Sequence, residues 1–240
     1  MKIANNTVMV TGANRGIGLA LVEKALEMGA AKVYATYRSA ENRSVLEALG
    51  GRVVPVHLDL ADKASIAALA HAAPDTNILV NNAGLFTGGN LLNDSDEQTR
   101  NDIETNFFGT LAVTKAALPA IKAAGGGAIA NVSSISALGA MPSFGGYSAS
   151  KAALHSLTQS LRAGLAGDNI TVHGVYPGPV ETRLTEGFEM EKTPAPTVAA
   201  NILAGIEAGD DEIFPDAMSA QLGPVFMTAP KQVETTFAAF

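Results

Sequence analysis

The amino-acid sequence predicts one α/β domain built on a parallel sheet with helices on both faces. Short β-branched segments alternate with helical segments along most of the chain. The strand-like segments are almost continuously apolar, as strands are when both faces of their sheet are covered. The 240 residues suit a single large domain, 1–240, with a substantial core.

The first third of the chain is expected to alternate four strands with three helices. β-branched and apolar residues predict the strands, and apolar residues at helical spacing predict the helices. A glycine-rich loop joins the first strand to the first helix. The segments in order are strand 7–11, helix 17–28, strand 32–36, helix 41–49, strand 52–57, helix 63–72 and strand 77–80.

The remainder completes a doubly wound sheet of seven mostly parallel strands. A long helix is expected over 97–123, with Asp94, Asp96 and Glu97 at its positive end and a bend or break at Pro119. Prolines at 177, 179, 194 and 196 bracket a long loop, and its part at about 183–196 is expected to contact substrate. The other segments are strand 128–132, helix 145–166, strand 170–176, helix 197–208 and strand 212–214.

Composition excludes several classes of protein. The 47% hydrophobic content is too high for a disordered chain, and the 16% charged content is low enough to suggest surface hidden in an oligomer. Without cysteine there are no disulfides, thiolate metal sites or cysteine nucleophiles. A net charge of −7 without a basic run argues against nucleic acid. We see no secretory signal or membrane span, and expect a cytoplasmic protein.

No metal site is expected, because the four histidines lack metal-ligand spacing. His155 follows Lys151 by one helical turn, and we interpret it as a packed or interface residue rather than a catalytic one. The acidic run 210–212 is most simply a solvated turn before the last strand.

The segment TGANRGIG lies between the first strand and the first helix, where free backbone N–H groups can bind a pyrophosphate. Its spacing, G-x-x-x-G-x-G, is longer than the G-x-G-x-x-G fingerprint. The alternative is a glycine-rich turn without a ligand, but the position after the first strand favours a nucleotide. The candidate contacts are Gly12, Asn14, Arg15, Gly16, Ile17 and Gly18.

The end of the second strand bears on the choice of dinucleotide. It reads ATYRS, without the carboxylate that would bind an NAD ribose. Arg38 here and Arg15 in the glycine loop are suited to pairing with a 2′-phosphate. The less favoured alternative is that both are ordinary solvated charges. We therefore predict NADP(H) rather than NAD(H).

Tyr147 and Lys151 stand four residues apart, on one face of a predicted helix. A nearby ammonium lowers the pKa of a phenol, whose ordinary value is about 10. A shift of about three units corresponds to about 4 kcal/mol, a large demand on one lysine, so an oxidised cofactor's positive charge would supply part of it. Taken alone, Y-x-x-x-K is more simply a surface pair.

Other polar segments follow predicted strands at the same edge of the sheet. NVSS ends one strand, NNAG follows another, and PGPVET follows a third. Ligands of open α/β sheets bind at the carboxyl ends of the strands, so these loops are expected to line one crevice.

Together these segments resemble the short-chain dehydrogenase/reductase family. The motifs TGANRGIG, NNAG, NFFG, NVSS, YSASK and PGPVET stand in that family's order and spacing, from about residue 7 to residue 182. The resemblance implies a Rossmann fold, a nicotinamide cofactor and a carbonyl/alcohol oxidoreductase, but it does not specify the substrate.

The resemblance also implies roles for four residues. Tyr147 would be the general acid in reduction and the base in oxidation. Lys151 would lower the pKa of Tyr147 and bind the nicotinamide ribose. Ser134, which the spacing favours over Ser133, would polarise the substrate oxygen, and Asn106 would hold a water that relays protons to Lys151.

Further cofactor contacts are implied by the same resemblance. Asp59 would touch the adenine, Asn82 to Gly84 would pack on that side of the cofactor, and Thr182 would contact the carboxamide. The implied contacts beyond the glycine loop are Tyr37, Arg38, Asp59, Leu60, Asn82, Ala83, Gly84, Tyr147, Lys151, Pro177, Gly178, Val180 and Thr182.

The residues expected to line the substrate pocket are mainly apolar, so we predict a small uncharged hydrophobic ketone or aldehyde. The alternative is a noncatalytic NADP(H)-binding regulator, against which the complete set of catalytic residues argues. A lyase or dehalogenase ranks last, because the cofactor loop is intact. The expected lining is Leu85, Phe86, Ile135, Leu138, Met141, Phe144, Val180, Leu184, Phe188 and Met190.

The resemblance also bears on assembly. Members of the family commonly assemble through the two long helices, which predicts a homotetramer, with a homodimer second.

Overall fold

A seven-stranded sheet in the order β3-β2-β1-β4-β5-β6-β7 runs through the computed structural model, which describes residues 1–93 and 95–239. Every neighbouring pair of strands is parallel, and helices cover both faces, so the predicted fold class is confirmed. The strands are β1 Thr7–Val10, β2 Lys32–Tyr37, β3 Val53–His57, β4 Ile78–Asn81, β5 Gly127–Val132, β6 Ile170–Val175 and β7 Glu212–Ile213.

Alternating strand residues feed two apolar cores, one on each face of the sheet. The α-helices are α1 Gly16–Glu27, α2 Arg43–Glu47, α3 Lys63–Ala72, α4 Asp96–Ile103, α5 Thr110–Ala123, α6 Gly145–Leu165, α7 Ala195–Ala208, α8 Ala217–Thr228 and α9 Pro230–Phe237. In β1, Val8 and Val10 face the core formed with α1 and α7, whereas Met9 faces the core formed with α3, α5 and α6.

The direction of winding reverses at β1, which pairs with β2 on one side and with β4 on the other. The helix that follows β1 and the helices that follow β4 lie on opposite faces of the sheet. The loops that lead to them therefore diverge and leave a crevice at the carboxyl edge of the sheet. Such a reversal point is where open α/β sheets bind their ligands.

The helix predicted over 97–123 is interrupted, but not at Pro119. A π-helical segment, Glu104–Gly109, separates α4 from α5, and Pro119 lies inside α5. The prediction of a break at Pro119 was wrong because Ala117 and Ile121, on either side of the proline, are both buried in the core and hold the helix in place. Asp94 lies outside the described residues.

Two C-terminal helices, α8 and α9, were not predicted. They pack on Tyr176, Ile135 and Leu138 in a third apolar cluster beside the crevice. Gly223 and Pro224 inside α8 argue against a helix at the sequence level. No helix within the described residues is long and apolar enough to cross a membrane.

The long loop after β6 is tied at both ends. The amide of Glu181 donates to the carbonyl oxygen of Thr193 at 2.9 Å, and the amide of Thr193 donates to the carbonyl oxygen of Pro179 at 3.0 Å. The loop therefore leaves and re-enters the fold at almost the same point, and α7 begins directly afterwards.

Candidate active site

A crevice of about 910 Å³ opens at the carboxyl edge of the sheet. All of the predicted cofactor contacts line it, and so do Tyr147, Ser134 and Lys151. Nine of the ten predicted substrate-pocket residues line it as well; Leu138 instead lines a groove on the far side of its loop. Asn106 is fully buried behind the crevice wall.

The glycine loop is shaped to bring backbone close to a ligand. Gly12 and Gly16 have φ values of +63° and +54°, the left-handed region that favours glycine. A Cβ atom on Gly18 would lie 2.1 Å from the carbonyl oxygen of Gly12. The free N–H groups at the start of α1 therefore face the crevice, an arrangement that fits a pyrophosphate.

Thr11, which the sequence analysis did not select, joins this loop to the segment after β4. Its hydroxyl accepts hydrogen bonds from the amides of Asn82 and Ala83, each at 2.9 Å. The side-chain amide of Asn82 donates to the carbonyl oxygens of Thr11 at 2.9 Å and Gly12 at 3.2 Å. The side chain of Asn82 thus holds the glycine loop in shape.

Arg15 and Arg38 lie exposed at the end of the crevice formed by the glycine loop and the end of β2. Neither guanidinium forms an ion pair with any of the described residues. Glu41, which the sequence analysis also left out, lines the same end. This end of the crevice therefore carries the positive charges of Arg15 and Arg38 and the negative charges of Glu41 and Asp59.

Lys151 is buried on α6 beneath the crevice. Its Nζ donates to the carbonyl oxygen of Val132 at 2.9 Å and lies over the Tyr147 ring, 5.5 Å from the centroid. Burial lowers the pKa of Lys151 to about 8, although the carboxylate of Asp102 acts in the opposite direction. The ammonium is consequently poised to lose its proton slightly above neutral pH.

Burial raises the pKa of Tyr147 to about 12, while a hydrogen bond with the Ser134 side chain lowers it in part. Withdrawing the phenolate from water therefore costs more than the neighbouring groups offset in this structure. The implied lowering of this pKa by Lys151 stays a prediction.

The side chains of the two serines after β5 make different contacts. The Ser134 side chain meets Tyr147 and accepts from the amide of Ser136 at 3.2 Å. The hydroxyl of Ser133 is buried and donates to the carbonyl oxygen of Lys151 at 3.0 Å. Ser134 is therefore the serine that faces the phenol.

Asn106 joins three parts of the site from the π-helical segment. Its Oδ1 accepts from the amide of Leu85 at 2.8 Å, and its Nδ2 donates to the Leu85 carbonyl and to the Ser150 hydroxyl, each at 2.8 Å. The Ser150 hydroxyl in turn donates to the Tyr147 carbonyl at 2.7 Å. Because protein groups engage this amide, the water relay implied for Asn106 stays a prediction.

An aromatic wall borders the catalytic groups. The Phe86 ring meets the Tyr147 ring edge-on, with 5.0 Å between their centroids. Phe144 and Phe188 stack on one another at 5.9 Å, and both contact Phe86. A substrate oxygen placed between Tyr147 and Ser134 would therefore carry its substituents against apolar rings.

Two acidic residues that the sequence analysis missed accept hydrogen bonds from segments next to the crevice. Asp216 caps α8 by accepting from the amide of Ser219 at 2.9 Å, and its other oxygen accepts from the Gly178 amide at 2.7 Å. Asp102 is fully buried beside Thr87. The four-residue spacing from Asp102 to Asn106 was the available signal, since it places both side chains on one helix face.

His155 does not reach the catalytic groups. Its Nδ1 lies 2.6 Å from the Tyr176 hydroxyl, and its ring meets Phe226 edge-on, as expected for a packed residue.

The acidic turn at 210–212 is partly neutralised, because Arg162 pairs with Glu212 at 3.1 Å and with Asp211 at 3.4 Å. Among residues 1–93 and 95–239, no group of three His, Asp or Glu side chains is placed to hold a metal ion.

A family model described as short chain dehydrogenase matches residues 6–193. The chain belongs to the short-chain dehydrogenase family. This membership confirms the resemblance inferred from the motifs, and it makes the protein an oxidoreductase of a family that uses nicotinamide cofactors.

Several known proteins are similar to this short-chain dehydrogenase. Trans-4-hydroxycyclohexanecarboxylate dehydrogenase of Sinomonas cyclohexanicum is 35% identical over 78% of this chain and 77% of its own. 3alpha-hydroxysteroid dehydrogenase of Mediterraneibacter gnavus is 32% identical over 88% of each chain. A short chain dehydrogenase of Burkholderia cenocepacia, solved in complex with NADP, superimposes with a TM-score of 0.92 at 38% identity and covers 99% of each chain.

Proposed function

We propose that this short-chain dehydrogenase uses NADP(H) to interconvert an uncharged hydrophobic ketone or aldehyde and its alcohol. The observation that carries the proposal is the meeting of Tyr147 and Ser134 under an aromatic wall, in the same crevice as the glycine loop. A carbonyl oxygen can approach both hydroxyl groups there while its apolar substituents remain out of water.

In reduction, the Tyr147 hydroxyl donates its proton to the carbonyl oxygen, and the Ser134 hydroxyl orients that oxygen by a hydrogen bond. The bound nicotinamide supplies the hydride in this direction and accepts it in the other. Lys151, with a pKa of about 8, holds a proton near the phenol that can be exchanged at neutral pH. In oxidation, Tyr147 as the phenolate takes the alcohol proton.

The preference for NADP(H) is supported by Arg15 and Arg38, whose guanidinium groups are free of ion pairs with described residues. Their planar donors pair with phosphate oxygens. The similar dehydrogenase of Burkholderia cenocepacia was solved with NADP, which agrees with this choice.

The ring-bearing character of the substrate is supported by the apolar wall and by the named substrates of the relatives. Both relatives carry names of alicyclic alcohols, a cyclohexanecarboxylate and a steroid. The uncharged character rests on the apolar wall alone. In this chain Phe86, Phe144 and Phe188 give the crevice a surface suited to such rings.

The test is NADPH oxidation at 340 nm against a panel of cyclic, aromatic and acyclic ketones and aldehydes, with NADH in parallel. We expect turnover with NADPH that falls by at least a hundredfold in Tyr147→Phe. Tyr34→Phe is the matched control, because its hydroxyl contacts Asp75 and Lys32 away from the crevice. Tight NADPH binding without turnover would instead favour a noncatalytic NADP(H)-binding regulator.

We also propose that the protein assembles as a homotetramer, or failing that a homodimer, through the surface of α4, α5 and α6. Phe108, in the π-helical segment that joins α4 to α5, is 50% exposed. Sedimentation equilibrium distinguishes the two assemblies, and a monomer at micromolar concentration would refute both. A cytoplasmic location stays a prediction.

A further inference from the structure

Asp102 is a fully buried carboxylate that the proposed proton transfers do not use. Its Oδ1 accepts from the amide of Thr87 at 3.1 Å, and its Oδ2 accepts from the hydroxyl of Thr87 at 2.9 Å. Burying an ionised carboxylate is costly unless hydrogen bonds or an opposite charge compensate it. Burial accordingly raises its pKa, while the Thr87 hydrogen bonds and the charge of Lys151 lower it.

The helical region of α4 and the π-helical segment holds the segment after β4 at two points. Asn106 binds both backbone groups of Leu85, and Asp102 binds both the amide and the hydroxyl of Thr87. Phe86 is the single residue between these two points. Both flanking residues are therefore fixed by side chains that stand one helical turn apart.

Phe86 is only partly buried, and its ring packs edge-on against the Tyr147 ring. Because packing covers only part of this side chain, the hydrogen bonds to Leu85 and Thr87 help to fix its position. Its ring also contacts Phe144 at 5.4 Å, and just beyond it Gly89 forms a parallel bridge with the backbone of Phe144. Neither Thr87 nor Asp102 lines the crevice. Their contacts therefore reach the ring of a substrate through Phe86. The charge of Asp102 also acts on Lys151 and Tyr147, but that effect bears on the reacting oxygen of every ketone and cancels in a ratio of two ketones.

We propose that Asp102 is a positioning residue that holds Phe86 against Tyr147 and so sets the preference of the site for ring-bearing ketones. This proposal rests on the proposed function. The ring of the substrate packs on the Phe86 face while its carbonyl oxygen lies between Tyr147 and Ser134. When Phe86 is displaced, a ring-bearing substrate loses its contact surface, whereas a small acyclic ketone loses little.

The experiment compares acetophenone with 2-butanone under saturating NADPH. Asp102→Leu removes both hydrogen bonds, and we expect the ratio of kcat/KM for the two ketones to fall at least tenfold, mainly through a higher KM for acetophenone. Asp102→Asn retains an acceptor for the Thr87 amide and a donor for its hydroxyl, so it is expected to keep the ratio within threefold of wild type.

Thr87→Val removes only the hydroxyl contact and is expected to lower the ratio by an intermediate amount. Thr76→Val is its matched control, since it removes a buried hydroxyl bond to the Ala73 carbonyl before β4, at the opposite edge of the sheet. This pair keeps the test decisive if Asp102→Leu does not fold. We expect Thr76→Val to keep the wild-type ratio.

The Phe86→Ala background tests the route of the effect. If Asp102 acts through Phe86, adding Asp102→Leu to Phe86→Ala will not lower the ratio further. A wild-type ratio in both Asp102→Leu and Thr87→Val, or an equal loss in Asp102→Asn and Asp102→Leu, would overturn the proposal. Wild-type enzyme that reduces neither ketone nor any other panel member would instead refute the proposed function on which it rests.

Discussion

Replacing Lys151 by methionine tests the electrostatics of the site directly. The folded protein lowers the pKa of Lys151 from its ordinary value of 10.5 to about 8 because the ammonium is buried. Below pH 8 the lysine is protonated in both the folded and unfolded states, so the folded protein bears the full burial penalty. At one pKa unit per 1.36 kcal/mol, that penalty is about 3 kcal/mol at pH 7.

The sign of the pH dependence follows from proton binding. Between pH 8 and pH 10.5 the unfolded state holds the lysine proton and the folded state does not, so this group makes stability rise with pH. Methionine has a similar shape and no charge, but it leaves the Val132 carbonyl without its donor, at a cost of about 1–3 kcal/mol at every pH. The net change at pH 7 is therefore between about zero and +2 kcal/mol.

The assay is urea unfolding of wild type and Lys151→Met, followed by circular dichroism at one protein concentration from pH 7 to pH 10. We expect the stability of the variant relative to wild type to fall by about 2–3 kcal/mol across that range. Carbonyl reduction should be almost abolished throughout. A stability difference between the two proteins that stays constant with pH would refute the reasoning.

Three further substitutions test the packing around the site. Gly84→Ala would place its Cβ 3.0 Å from Asn106 Oδ1; we expect a loss of about 1–3 kcal/mol by urea unfolding and at least a tenfold loss of kcat/KM. Gly164→Ala has no atom within 4 Å of the new Cβ and lies exposed in α6, so it should gain about 0.5–1 kcal/mol with unchanged activity. Asp216→Ala removes a helix cap and the acceptor of the Gly178 amide, so we expect a loss of about 2–3 kcal/mol in stability and a higher KM for NADPH.

Each of these three predictions has a result that would contradict it. If Gly164→Ala lowered activity as much as Gly84→Ala, contact at Asn106 would not explain the effect of the latter. An unchanged KM for NADPH in Asp216→Ala, despite lower thermal stability, would mean that this carboxylate only caps α8. Full activity in Gly84→Ala would show that the segment after β4 can shift freely.

The strands were predictable because their apolar runs are short and continuous, and the cofactor loop was predictable because its glycines stand where a βαβ unit turns. Helix α8 was not, since Gly223 and Pro224 both disfavour helix in isolation. Tertiary packing overrides that preference. A Cβ on Gly223 would lie 2.4 Å from the Phe214 ring, so only glycine at this position lets α8 pack closely against that ring.

Asp102 illustrates what local patterns cannot supply. It stands in a polar helix whose first turn carries Asp96 and Glu97, and composition does not separate a buried carboxylate from solvated ones. The spacing to Asn106 marks a shared helix face, but it does not show what that face contacts. Its role depends on Thr87, fifteen residues earlier, whose position is set by the course of the chain after β4. The pKa of Tyr147 was likewise unpredictable, because burial rather than the neighbouring lysine dominates it.

The tied ends of the loop after β6 make that loop an exchangeable module. Glu181 and Thr193 meet through backbone hydrogen bonds alone, which any pair of residues other than proline at the donor positions can form. Beyond Thr182, which lines the cofactor crevice, the residues between them can change in length and chemistry without altering the sheet. Such changes alter the substrate end of the crevice, which Leu184, Phe188 and Met190 line. Grafting the corresponding loop from a steroid or cyclohexane dehydrogenase onto these two anchors is therefore a direct route to redesigning what the enzyme accepts.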